Sequence, residues 1–130
     1  MIYFISGHRD LTQEEFDKHY IPTLKRILEL DDYAKFLIGD WEGCDTLAFE
    51  YLRDKLGMYQ RIDIYYVDKV RLINFSQSMY PKIVSQVWDV YDSCDSMMTH
   101  YSDFDVAWIR PGRENSHTAM NIKRRYYGKI

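Results

Sequence analysis

Three short loops carry side chains that could bind an anion or a sugar. The first is Ser6-Gly7-His8-Arg9-Asp10, where the imidazole and the guanidinium are donors suited to a phosphate or a carboxylate. The second runs from Gly39 to Asp45, and the third from Arg110 to Thr118. Glycine lets the backbone approach a ligand closely, and the N–H groups at a helix start favour anions. The loops therefore predict a site for a nucleotide or another phosphorylated small molecule, without deciding whether a bond is cleaved.

The second loop is rich in acids whose roles stay open. Gly39 and Gly43 flank Asp40 and Glu42, which could accept ribose hydroxyls or act as general acids or bases. Asp45 could accept a ribose hydroxyl, or it could simply cap the next helix. The spacing matches neither a Walker A loop nor the G-x-G-x-x-G fingerprint.

The third loop resembles a phosphate cradle, because small amide and hydroxyl side chains follow Gly112 at a predicted helix start.

In the first loop, Asp10 could orient Arg9 or bond a ribose hydroxyl. The predicted ligand-binding set is Ser6, Gly7, His8, Arg9, Asp10, Gly39, Asp40, Glu42, Gly43, Asp45, Arg110, Gly112, Asn115, Ser116, His117, Thr118 and Asn121. No catalytic residue is assigned.

Apolar runs and helix signals place each loop between a strand and a helix. Thr12 and Glu15 form a capping-box pattern, Pro22 predicts a break near Tyr20–Ile21, and Gly57 is a stop signal. We predict a helix from about Lys82 towards Tyr101 and a last helix from Thr118 to Tyr127. The predicted strands are 2–5, 36–38, 62–67 and 104–109.

This alternation predicts an α/β protein, a Rossmann-like three-layer fold with a central parallel sheet of four to five strands. The 130 residues suffice for a single domain, 1–130. In such a sheet the three loops meet at the carboxyl edge.

Composition narrows the function classes. No apolar run has the roughly 20 residues of a membrane helix, and no signal-peptide pattern follows Met1. A net charge of −3 argues against a broad nucleic-acid surface, and two cysteines suit a reducing cytoplasm. The four histidines and the two cysteines show no metal-ligand spacing, so we predict no metal and no cofactor.

In their order, these segments resemble the SLOG superfamily of Rossmann-like proteins, which includes the lonely-guy phosphoribohydrolases and the DNA-processing protein A fold. Gly39 to Asp45, with Ala48, is similar to the G-x-x-x-G-x-D-x-x-A segment of that group. Arg110 to Thr118 resembles its closing glycine-rich loop, and Ser6 to Asp10 resembles its opening turn. The resemblance covers most of the chain except about Asp68 to Val87.

The departures from that pattern bear on catalysis. Cys94 stands where the hydrolases of the group have an arginine, Asn121 stands where they have a glutamate, and His117 replaces a loop glycine. An amide cannot serve as a general base or a carboxylate nucleophile. The resemblance thus implies a scaffold for a ribosyl phosphate without the usual catalytic pair.

We therefore predict a binding or sequestering protein for a nucleotide-derived signal, ADP-ribose-like or cyclic, that associates as a homodimer or higher homo-oligomer. The resemblance extends to sensors of bacterial antiviral defence and to short phage or viral proteins. The alternative is an enzyme, a hydrolase or transferase acting on the N-glycosidic bond of a nucleoside phosphate. Asp40, Glu42 or Asp95 would then replace the missing glutamate. A scaffold or DNA-associated role is disfavoured by the acidic charge.

Overall fold

The fold is a parallel sheet between two layers of helices. The computed structural model describes residues 1–56, 61–66, 82–85 and 94–126. Its elements, in chain order, are β1 (Ile2–Ser6), α1 (Gln13–His19), α2 (Ile21–Leu30), β2 (Lys35–Ile38), α3 (Cys44–Leu56), β3 (Ile62–Tyr66), β4 (Lys82–Ser85), α4 (Cys94–Tyr101), β5 (Phe104–Ala107) and α5 (His117–Tyr126).

The five strands lie in the order β4-β3-β2-β1-β5, and every neighbouring pair is parallel. The chain adds strands outward from β1 to β4 and then returns to place β5 on the other side of β1. The predicted α/β class and parallel sheet are confirmed. The helix predicted from Lys82 is wrong at its start, because residues 82–85 form β4 against β3. The predicted stop at Gly57 lies outside the described residues.

The first helical region contains the break that Pro22 predicts. Thr12 caps α1 in a complete capping box: its hydroxyl accepts the Glu15 N–H, and the Glu15 carboxylate accepts the Thr12 N–H. Tyr20 closes α1 through a bond to the Phe16 carbonyl, and Pro22 lies in the first turn of α2, where its missing N–H costs no helical bond. The break turns the completely buried Tyr20 side chain towards the sheet.

Alternation along β1 divides the interior into two cores. Ile5 belongs to the larger core, which β1, β2 and β3 form with α1, α2 and α3. Phe4, on the opposite face, packs with Leu37 and Tyr65 against Met97 and Met98 of α4. The helices that follow β1 and β2 therefore cover one face, and α4 covers the other, with α5 packed beside α4 and β5.

The ends of β1 and β5 are held apart by a side chain. Ser6 is the register partner of Ala107, so the Ser6 carbonyl and the Trp108 N–H would form the next bond of the parallel ladder. Instead the Tyr20 hydroxyl donates to the Ser6 carbonyl at 2.8 Å and accepts the Trp108 N–H at 3.0 Å. Burial raises the pKa of the Tyr20 phenol, which keeps its proton. The two strands diverge beyond this hydroxyl.

Replacing Tyr20 with phenylalanine should therefore destabilise the protein. The change leaves a buried carbonyl and a partly buried N–H without their partner, and the free energy of unfolding should fall by roughly 2–4 kcal/mol in urea titrations. The matched control is Tyr33→Phe, because Tyr33 is 88% exposed and its loss of a hydroxyl should change stability by less than about 0.5 kcal/mol. Equal midpoints for both variants and the wild type would contradict this role.

Candidate functional site

A crevice of about 1100 Å³ opens at the carboxyl edge of the sheet, beside the diverging ends of β1 and β5. This is the point where the strand order reverses, and open α/β sheets bind ligands there. Residues of all three predicted loops reach it. The predicted residues that line the crevice are Ser6, Gly7, His8, Arg9, Asp10, Gly39, Glu42, Asp45, Ser116, His117, Thr118 and Asn121.

The other predicted residues lie outside the crevice wall. Asp40 is 3% exposed, and Gly43, at a φ of 75°, packs so closely that a Cβ would collide with the Arg9 carbonyl. Gly112, at a φ of 90°, forms an exposed turn in which its N–H bonds the Glu114 carboxylate. Asn115 is also exposed. These residues shape or extend the loops without facing the cavity.

Arg110 connects the third loop to the first helix and does not line the cavity. Its guanidinium contacts both carboxylate oxygens of Glu15, at 2.6 and 2.9 Å, and Asp10 at 3.0 Å. Arg110 is the largest cause that lowers the pKa of the Glu15 carboxyl, to about 2. Arg113 contacts the second oxygen of Asp10 at 2.8 Å. These ion pairs fix the loop after β5 against the start of α1.

His8 continues the separation of β1 and β5 that Tyr20 begins. Its Nε2 accepts the Arg110 N–H at 2.9 Å, while its own carbonyl accepts the N–H groups of Leu11 and Cys44. Burial first, and then the positive charge of Arg110, lowers the pKa of the His8 imidazole. His8 is therefore a neutral acceptor, and its imidazole connects the first loop to the backbone of the third loop.

Arg9 and Trp41 form a stacked pair at the crevice wall. The guanidinium carbon lies 3.7 Å from the centre of the indole ring, within the range of a cation–π contact. Within the described part of the chain, no carboxylate lies within 4 Å of the Arg9 guanidinium. The pair thus presents a flat aromatic surface and a cation that forms no ion pair within 4 Å in the described ranges.

Asp45 is not the cap of α3, because the helix begins one residue earlier at Cys44. Its carboxylate instead accepts the Trp41 N–H at 3.1 Å. Gly39 makes room for it: a Cβ on Gly39 would lie 2.7 Å from Asp45 Oδ2. Burial first, and then the charge of Asp95, raises the pKa of Asp45 to about 8. This shift favours the protonated form of the Asp45 carboxyl at neutral pH.

A chain of hydrogen bonds joins α4 to α5 on the opposite wall. Asn121 is 2% exposed; its amide nitrogen donates to Asp95 at 3.1 Å, and its oxygen accepts from Arg124 at 2.7 Å. A carboxylate and a guanidinium therefore meet at this amide. Asp95 follows Cys94, where the resemblance expects an arginine. Arg124 lies three residues after Asn121, where the resemblance expects a glutamate.

The start of α5 forms the third wall. Ser116 precedes the helix, and its hydroxyl accepts the Ala119 N–H at 3.2 Å, so Ser116 acts as the N-cap. His117 is exposed and Thr118 is buried. The dipole of this ten-residue helix favours negative charge near these residues.

Sequence reasoning missed several residues of the wall. The periodicity of strands and helices could have indicated two of them. Phe4 shares a face of β1 with the predicted residue Ser6, and Arg124 lies three residues after Asn121, on the same face of α5. The lining residues absent from the predicted set are Phe4, Trp41, Cys94, Asp95, Met98, Arg113, Met120 and Arg124.

No family model, curated protein or solved structure matches this chain. Among the described residues, no group of three or more histidine, cysteine or acidic side chains is arranged to hold a metal ion. None of the helices in the described ranges is long and apolar enough to cross a bilayer.

The raised pKa of Asp45 predicts a pH-dependent difference between the wild type and Asp45→Asn. Between pH 4 and about 8 the folded wild type holds a proton that the unfolded chain has released, so its stability falls as the pH rises. Asparagine mimics the neutral acid and keeps an acceptor for the Trp41 N–H. As the pH rises through this window, the free energy of unfolding of the variant should increase relative to that of the wild type by up to about 1.4 kcal/mol per pH unit.

Urea titrations from pH 5 to 9 measure this difference. Asp40, Asp95 and Arg9 act on Asp45 in the wild type and remain in the variant, so the two proteins differ only at the Asp45 carboxyl. Asp54→Asn, at an exposed acid, is the control and should show no such trend. A constant offset between Asp45→Asn and the wild type would show that Asp45 is ionised throughout.

Proposed function

We propose that this protein binds a nucleotide or a nucleotide-derived signal in the crevice, as a SLOG-like binding or sequestering protein. The observation that carries the proposal is the pairing of cations with a helix start at the strand-order reversal. Arg9 and Arg124 line the crevice, and in the described ranges neither has a carboxylate within 4 Å. Together with the start of α5, they favour an anion such as a phosphate.

The size and the walls of the crevice support a nucleotide over a simple anion. Its volume of about 1100 Å³ lies just above the usual range of ligand pockets, which suits a ligand of the size of ADP-ribose. The indole of Trp41, 38% exposed, and the side chain of Met120, 50% exposed, offer apolar surface for a base.

The expected affinity change follows from removing the two cations. Arg9→Ala combined with Arg124→Ala should weaken binding of AMP and ADP-ribose by roughly 2–4 kcal/mol, since each arginine makes charge-assisted hydrogen bonds to a phosphate. Titration calorimetry at low salt measures the change.

The matched control is Arg26→Ala, because Arg26 lies on the exposed side of α2, outside the crevice. This variant should bind like the wild type. Unchanged affinity in the folded double variant would remove the crevice as the phosphate site.

A second candidate function is cleavage of an N-glycosidic bond, which one observation favours. Asp45 and Asp95 line the same crevice, and their mutual repulsion helps to keep Asp45 protonated. A carboxyl with a raised pKa beside a second carboxyl is a common acid–base arrangement. Asp45 would protonate the leaving base, and Asp95 would activate water or attack the sugar.

We nevertheless expect little or no turnover of AMP or dAMP. Asn121 cannot accept a proton as a general base, and burial raises the pKa of the Cys94 thiol to about 11, which keeps it protonated and poorly nucleophilic. The loss of one positioned acid–base group typically lowers a rate by about 10²–10⁴-fold. Chromatography of incubated nucleotides measures free base. Release at an ordinary rate of about 1 per second or faster, abolished by Asp95→Asn, would instead establish the second function.

A further inference from the structure

Ser6 carries a hydroxyl that lacks a hydrogen-bond partner among the described residues, although it is almost fully buried. The residue is 6% exposed, and its Oγ contacts no donor or acceptor in the described part of the chain. Ser6 ends β1 and lines the crevice. A buried hydroxyl without a partner costs stability, so such a group in a ligand crevice points to a partner supplied by the ligand.

Two interacting carboxyls, Asp45 and Asp95, line the same crevice as Ser6 and come from different helices. Ser6 and Phe4 share a face of β1, and Phe4 packs against Met98 of α4, the helix that carries Asp95. Asp45 comes from α3, on the other side of the sheet, and reaches across the edge of β2. A Cβ built on Gly39 would lie 2.7 Å from Asp45 Oδ2 and 3.7 Å from Met98 Cε. The Asp45 carboxyl therefore lies near α4.

We propose that Ser6, Asp45 and Asp95 form a subsite for the vicinal hydroxyls of a ribose. This inference rests on the proposed function and specifies the sugar that the bound nucleotide must contain. A cis-diol needs both donors and acceptors within a short distance. The Ser6 hydroxyl can donate and accept, and the Asp95 carboxylate, oriented by the Asn121 amide, accepts.

The raised pKa of Asp45 supports this assignment over a cation site. A neutral carboxylic acid can donate to a sugar oxygen, which a carboxylate cannot do. Protonation of Asp45 removes a negative charge from the crevice, which weakens attraction for a divalent cation. Asp45 and Asp95 together then satisfy a hydroxyl that donates to one acid and accepts from the other.

The test compares AMP with 2′-deoxy-AMP and 3′-deoxy-AMP by titration calorimetry on the full chain. The wild type should bind AMP at least about tenfold more tightly than either deoxynucleotide, because a missing hydroxyl leaves buried polar groups unpaired. In Ser6→Ala and in Asp95→Asn this preference should shrink to about twofold or less.

The matched control is Thr99→Val. Thr99 carries another buried hydroxyl without a partner in the described ranges, but it lies outside the crevice. Both Ser6→Ala and Thr99→Val should keep or raise the melting temperature, and only Ser6→Ala should lose ribose discrimination. This readout separates a ligand contact from a structural role.

Each outcome decides the inference. Equal affinities of the wild type for AMP and both deoxynucleotides would overturn the ribose subsite and leave nucleotide binding standing. Undiminished discrimination in both Ser6→Ala and Asp95→Asn would overturn the assignment of these residues. If the wild type binds none of the three nucleotides, nor ADP-ribose, both the subsite and the proposed function fail.

Discussion

The Tyr20 hydroxyl is the interaction on which the rest of the carboxyl edge depends. It occupies the place of a ladder bond between β1 and β5, with the Ser6 carbonyl on one side and the Trp108 N–H on the other. The two strands must diverge to admit it, and that divergence opens the crevice. Gly7 lies beneath it, where a Cβ would come within 2.5 Å of the same hydroxyl and of Cys44 Sγ. The absence of a side chain at Gly7 therefore makes room for the Tyr20 hydroxyl between the two strands.

The same region shows how folding and ligand binding use shared residues. Glu15 completes the capping box of α1 and also holds Arg110, while Asp10 holds Arg110 and Arg113. The first and third loops are thereby attached to one helix start, so the shape of the crevice is set by ion pairs before a ligand arrives. Arg9 and Arg124 stay outside this network of ion pairs, and in the proposed function they bind the anion. Arg110 thus has a structural role in the fold.

Much of the fold could be predicted from the sequence because its signals are local. The capping box at Thr12, the break at Pro22 and the four longest apolar runs each depend on neighbouring residues, and a parallel sheet then brings the three loops to one edge. The strand at 82–85 could not be recognised, because a four-residue run with two apolar positions does not distinguish a strand from a helix. Its identity depends on pairing with β3. Likewise, Asp45 has the side chain of a helix cap, and only the space left by Gly39 turns its carboxyl towards Asp95. The role of Tyr20 depends on residues that lie far away in sequence.

The central claim is that the crevice holds a nucleotide. Native mass spectrometry of the protein purified from cells tests it most directly, because a ligand retained through purification appears as a defined added mass. We predict a species heavier than the 15.7 kDa chain by the mass of one nucleotide per subunit, and its loss in the variant carrying Arg9→Ala and Arg124→Ala. Only the unliganded mass, unchanged when AMP or ADP-ribose is added in excess, would contradict the account.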